Sequence, residues 1–394
     1  MLPLRLLPFA AFAAFPLSAQ DLGFQSPGRS QYFQRLPQDQ FTNQFNPAFG
    51  AVFDGFLDYR DIDGGDGGFD LQLRILELNV SGAIDPGAYG YVALVSENAE
   101  APEIEEAAVV LDRLPGTAEL KIGRFFVDFG KLMQTHVEEL RTLERPLPLR
   151  EYLGEELGGV GVQFDYWMPL NETTPVRFSV GAFSSLLGEG HHHEDEDEPE
   201  PEAEVADLKD FNDLSFTARL TGMTELGDNA ILQAGASGRF VPNFSFAFDG
   251  LAEADLSNTV LGLDLTYQHT DDSGQKRFLL GGEYVAIDGD LSAEVDDPLA
   301  PTTLTVSNST ASGYYAFCDY GWNPRWSAGV QFARAEELEG GSDVEELDLY
   351  VTWASTELRR LRFGVTLADA EVDEQRAYLQ FTNFFGAHFH ATKW

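Results

Sequence analysis

The residues best suited to chemistry are three adjacent histidines, His191-His192-His193, followed by Glu194-Asp195-Glu196-Asp197-Glu198. Imidazoles beside carboxylates bind borderline cations such as Zn²⁺, Ni²⁺ or Cu²⁺. The run lacks the i,i+4 or Cys/His spacing of a rigid structural site. A cation held by His191, His192, His193 and Glu194 would therefore be weakly bound and exchangeable. The same composition suits a solvated low-complexity loop better. No motif demands a cofactor. HExxH, GxSxG, the P-loop and a post-strand GxGxxG are all absent, so the expectation is a protein that is not an enzyme.

A second concentration of chemical groups lies between Lys121 and Arg150. It holds six basic residues (Lys121, Arg124, Lys131, Arg141, Arg145, Arg150) and four acidic ones (Asp128, Glu138, Glu139, Glu144), together with His136. In a chain with 65 Asp+Glu against 25 Lys+Arg this is a local basic island. It could attract anions to a constriction, or its arginines could neutralise carboxylates and pin a loop. Further charged residues sit alone within alternating segments: Arg74, Arg177, Arg219, Arg239, Arg325 and Arg362, with Asp165, Asp264, Glu283 and Asp348. On the wall of a pore, opposed charges would orient polar solutes. They could equally pair and brace the wall.

The elements that must position these groups are strands. Leu261, Leu263, Leu265 and Tyr267 alternate with Gly262, Asp264, Thr266 and Gln268. The same period of two runs through Leu214–Thr221, Arg325–Phe332, Leu347–Trp353 and Leu361–Leu367. Many such segments span about 10 to 14 residues, the length a tilted membrane strand needs. Tight turns are expected at Asp85–Gly87, Leu114–Gly116, Met168–Thr174, Leu226–Asp228, Asp271–Gly274, Gly321–Asn323 and Thr356–Glu357. Between them fall Asp61–Gly68, Ala99–Pro102, Val127–Leu157, Leu187–Asp210, Asn243–Ala254, Gly289–Thr305, Glu336–Ser342 and Ala370–Gln375, mostly longer. Short turns alternating with longer connections imply an all-β fold: a closed antiparallel transmembrane β-barrel of about sixteen strands. Its apolar faces would meet lipid and its polar faces water. Val127–Leu157 is too long and too apolar for an idle connection. It is expected to fold inward as a constriction.

Composition agrees. The 394 residues carry a net charge of −40, which excludes a nucleic-acid partner. Gly (38) and Phe (31) are frequent, and one cysteine, Cys318, leaves no internal disulfide. Residues 1–19 read as a signal peptide with Arg5 before an apolar core and cleavage after Ala19. Residues 20–49 read as a periplasmic extension, and 50–394 as the barrel, with 187–210 as a His/acid-rich outer loop. No run of eighteen apolar residues follows the signal, so no transmembrane helix is expected.

The chain after the signal resembles Gram-negative outer-membrane porins, most of all porin-like proteins labelled zinc-regulated. The resemblance rests on Asn46-Pro47, Glu105-Glu106-Ala107, Gly123-Arg124-Phe125, Phe129-Gly130, His136, Arg145-Pro146, Leu153-Gly154-Glu155, Gly159-Val160-Gly161 and Gly386-Ala387-His388. It implies passive diffusion of small hydrophilic solutes or ions. The alternative is zinc-responsive metal capture or uptake. Outer-membrane lipid, lipopolysaccharide and the barrel-assembly machinery are the implied partners, the last reading a terminal strand ending in Trp394. A homotrimer is the family expectation. The constriction and lumen would be lined by Arg124, Lys131, His136, Arg141, Arg145, Arg150, Arg177, Arg219, Arg239, Asp264 and Glu283.

Overall fold

The computed structural model describes residues 47–386 except 66, 172–173, 187–201, 205–209, 249–250, 297–301, 339–342, 357 and 371–372. The signal peptide, the extension up to residue 46, the cluster His191 to Glu194 and residues 387–394 lie outside the described residues.

The strands, in chain order, are β1 (Ala48–Ile62), β2 (Gly68–Asp85), β3 (Ala88–Glu97), β4 (Glu103–Leu111), β5 (Ala118–Phe126), β6 (Gly158–Asn171), β7 (Thr174–Phe183), β8 (Glu202–Glu204), β9 (Ser215–Leu226), β10 (Ala230–Phe248), β11 (Leu251–Thr270), β12 (Arg277–Val295), β13 (Leu304–Asn323), β14 (Trp326–Ala335), β15 (Val344–Thr356), β16 (Arg359–Asp369) and β17 (Glu374–Gly386). β8 is a three-residue strand that pairs with the upper part of β10. The other sixteen form the wall. Each is antiparallel to its neighbours, β7 pairs directly with β9, and β17 closes on β1 from Gly50↔Gly386 to Ile62↔Glu374.

The wall is inside out relative to a soluble protein. Leu261, Leu263 and Leu265 are 53%, 61% and 53% exposed, whereas Asp264 between them is 5% exposed. An apolar outer surface with polar side chains inside is stable only where lipid replaces water outside. Closure leaves no unpaired edge. Trp322, Trp326 and Trp353 cluster at the turn end of β13–β15, with centroids 6.2 and 6.4 Å apart, as in an interfacial aromatic belt. Among the described residues no helix is long and apolar enough to cross a membrane; the strands cross.

Several boundaries differ from expectation. The barrel starts at Ala48 rather than residue 50. Asn243–Ala254 and Gly289–Thr305 are not loops for most of their length. β10 and β11 stay paired up to Phe248↔Leu251, and β12 and β13 up to Val295↔Leu304. These strands reach 19 or 20 residues, well beyond the roughly 10 that cross a bilayer. Above the lipid the apolar alternation is no longer required, so it fades while backbone pairing continues. Strand β6 likewise runs on to Asn171, and β13 to Asn323. Arg325 consequently lies in the turn before β14 and not on the lumen wall.

Candidate functional site: the lumen and its inserted segment

Strand β5 ends at Phe126 and β6 begins at Gly158. The intervening residues 127–157 turn into the barrel because their apolar side chains find a core there. Val127, Phe129, Met133, Leu140, Leu149, Leu153 and Leu157 are essentially fully buried. They join Phe183, Val260, Tyr315, Phe317 and Ala333 from the wall in one cluster. A short helix, α1 (Leu147–Leu153), opens with Pro148 in its first turn and stops at Gly154, whose φ is +82°. Two wall glycines make room. A Cβ on Gly262 would lie 2.8 Å from the Phe129 ring, and one on Gly313 would lie 2.8 Å from Pro148.

Polar groups of the wall then grip the segment around most of the circumference. On one side Glu283 of β12 accepts the backbone N–H groups of Lys131 (2.8 Å) and Leu132 (3.1 Å) and the hydroxyl of Tyr315 (2.5 Å). Gly130 N–H donates to Ser237 Oγ at 3.0 Å, and Lys131 Nζ to Gln233 at 2.6 Å. Asp128 pairs with Arg177 and lies 3.3 Å from Arg219, which also donates to Asp264 at 2.7 Å. On the other side arginines of the wall donate to carbonyls of the segment. Arg74 reaches Leu143 and Val137, Arg360 reaches Glu138, and Arg362 reaches Thr142 at 3.2 Å. Arg376 bridges Asp58 of β1 (2.6 Å) and Glu144.

The expected site residues separate into four groups. Lys131, Arg141, Arg150, Arg177, Arg219, Asp264 and Glu283 converge on the junction between wall and segment. Arg141 lies 3.5 Å from Asp319 and stacks 3.9 Å over Phe317, while Arg150 pairs with Glu346 (2.7 Å) and Glu144. Arg239 is inward but elsewhere; it donates to Leu186 O at 3.0 Å and Asn258 at 2.7 Å, tying down the start of the β7–β9 connection. Arg124 and Arg145 do not line the lumen. Register pairs Arg124 with outward-facing Val160, two residues from exposed Ile122, so strand parity turns it to the outside. Arg145 is fully buried within the segment, where its guanidinium donates to the carbonyls of Leu132, Thr135 and Glu155. Five donors on one rigid fork let it staple three backbone carbonyls, two from one turn and one from beyond α1.

Burial depresses the Lys131 ammonium to about 7. Glu144 faces opposing influences: desolvation raises it, but Arg150 and Arg376 prevail and hold it at about 2. For Arg150, burial works against the charge, yet Glu346 and Glu144 leave its pKa above the ordinary value.

His136, also expected at the constriction, is 2% exposed and sits among carboxylates. Its Nδ1 lies 3.1 Å from Glu105 and 3.5 Å from Glu77, and its Nε2 lies 3.4 Å from Glu106. Glu138, on a 3₁₀ turn (Val137–Glu139), is buried beside them. Burial opposes protonation of His136, but these glutamates outweigh it and raise its pKa well above the ordinary value. Adjacent residues of a regular strand point to opposite faces, so Glu105 and Glu106 could not both face inward on an unbroken β4. The register slips there: Ala93 pairs with Glu106 and Leu94 with Ile104, leaving Glu105 as the extra residue of a bulge. The adjacent acidic pair was the visible signal, but nothing in the sequence marks the bulge.

The segment leaves little free surface around it. Asp54, Glu77, Gln331, Gln380 and Thr382, from four different strands, are all at most 1% exposed.

No family model matches the chain. It is 26% identical to an uncharacterized protein of Aquifex aeolicus (strain VF5), over 97% of this chain and 80% of that one. Its structure is similar to that of an anion-selective porin from Comamonas acidovorans (TM-score 0.55, 11% identity, 86% of this chain and 98% of that one). It is also similar to OmpT, an outer membrane protein of Vibrio cholerae, in a trimer form (TM-score 0.52, 10% identity, 86% and 98%). The chain has the closed sixteen-stranded barrel fold of outer-membrane porins.

Proposed function

We propose that the chain is an outer-membrane diffusion channel for ions and small hydrophilic solutes, narrowed by residues 127–157. The supporting observation is the position of that segment inside a polar lumen, fastened to wall strands on opposite sides. Wall side chains at its level are nearly inaccessible to water, so the passage is narrow and its unitary conductance low. The trimeric form of the structurally similar OmpT supports a trimer, which chemical crosslinking in native membranes would test. Planar-bilayer recording tests the channel itself. Small stepwise currents are expected from the intact chain. Replacing residues 131–153 by a short Gly/Ser linker should raise the step size several-fold. Absence of steps from both proteins overturns the reading.

A further inference from the structure

We propose that His136 Nδ1 and the carboxylates of Glu77, Glu105 and Glu138 form a buried site for a divalent transition-metal cation, which locks the inserted segment to β2 and β4. The ligand atoms of Glu77, His136 and Glu138 lie within 4.8 Å of one another, the span available to donors around one ion. Glu105 joins them at 3.1 Å from Nδ1. The donors come from three separate places: β2, the bulge of β4, and the inserted segment.

The surroundings fix these donors in place. Glu106 accepts Phe126 N–H at 3.0 Å and Tyr91 O–H at 3.3 Å through one oxygen, and faces His136 Nε2 with the other. That arrangement keeps a proton on Nε2 and turns Nδ1 towards Glu77 and Glu105, where a metal cation would take the place of the Nδ1 proton. A carboxylate behind the distal nitrogen is the usual outer shell of a metal-bound histidine. Glu77 is oriented in turn by Asn79, which donates to its other oxygen at 2.5 Å. Acceptors converging on one point at this burial require a cation between them, a proton or a metal. One imidazole with oxygen donors and no thiolate suits Zn²⁺ or Mn²⁺.

The test uses the full chain, folded in detergent, titrated with Zn²⁺ by calorimetry and with Co²⁺ by visible absorption. One tight equivalent is expected, and it should persist when His191, His192 and His193 are all replaced by alanine. His136→Gln and Glu77→Gln should each weaken it at least tenfold, and Glu106→Gln by ten- to a hundredfold. Heat-modifiable mobility on gels reports whether each variant is folded. Glu138→Gln, on the segment rather than the wall, replaces any wall variant that does not fold. The X-ray absorption edge of bound zinc should show a single imidazole among oxygen ligands. Binding that disappears with the His191–His193 replacement, binding indifferent to His136→Gln, or no binding overturns the proposal.

Discussion

On the β9–β12 side the wall mostly accepts from the inserted segment, whereas on the β16–β17–β1–β2 side it donates to it. Glu283 and Ser237 take N–H groups of residues 130–132, while Arg74, Arg360 and Arg362 supply N–H groups to carbonyls of residues 137–143. Both sides therefore read mainly the backbone. The difference lies in tolerance. A carboxylate accepting two successive amides requires the chain to approach closely, and Gly130, at φ +56°, provides that approach. A guanidinium on a long stem reaches its carbonyl from a distance and accommodates shifts of the target. The first end is a fitted seat and the second a set of adjustable struts.

The largest expected effect is at the fitted seat. Arg219→Ala leaves Asp264 buried without its cation and Asp128 with Arg177 alone, a loss of about 3–5 kcal/mol, visible as a lower urea midpoint in detergent. Gly130→Ala comes next. Its Cβ would fall 2.0 Å from Glu283 Oε2, and the left-handed backbone alone costs about 1–2 kcal/mol. Noisier and larger channel steps are expected, and adding Glu283→Ala should relieve part of the clash. On the strut side, Arg362→Ala should cost about 1–3 kcal/mol, because Arg74 and Arg360 still hold neighbouring carbonyls. If the two ends act independently, the effects of Gly130→Ala and Arg362→Ala add in a double-mutant cycle. A coupling near the full single-mutant effect would show that the segment moves as one rigid body and would break the distinction.

The smallest effect is a titration. Lys131 falls to about 7 from an ordinary value of 10.5, so folding expels its proton between those limits. Stability from this group rises with pH through that window, and its positive charge is present below about 7. The reversal potential under a salt gradient should move towards cation preference as pH rises through 7. Lys131→Gln should flatten the change.

Much of this was readable in the residues. The period of two located the wall, and the limits Val127 and Leu157 match the interruption between β5 and β6, because pattern loss and chain reversal coincide there. Other features were hidden for physical reasons. Strand alternation weakens above the lipid, so the upper halves of β10–β13 resembled loops. Arg145 carries the same charge as Arg150, but tertiary burial turns it to backbone carbonyls. The bulge that brings Glu105 and Glu106 to one side is set by pairing with β3, a long-range choice no local motif records. Arg124 looked like part of the basic island because the island was counted along the chain, not by strand face.

The contacts of Arg376 bear on how the barrel is made. This residue, on the last strand, bridges Asp58 on the first strand and Glu144 on the inserted segment. Gln380 and Thr382 of the same strand donate to Asp54 of β1, whose carboxylate also receives Arg74. The seam between chain ends is therefore stitched partly to a piece of chain from between the fifth and sixth strands. Without that piece, Arg376 would keep Asp58 but lose Glu144, and Arg360 and Arg362 would lose the carbonyls of Glu138 and Thr142. Residues 127–157 thus hold the seam from within, as a mandrel against which the first and last strands of the cylinder rest.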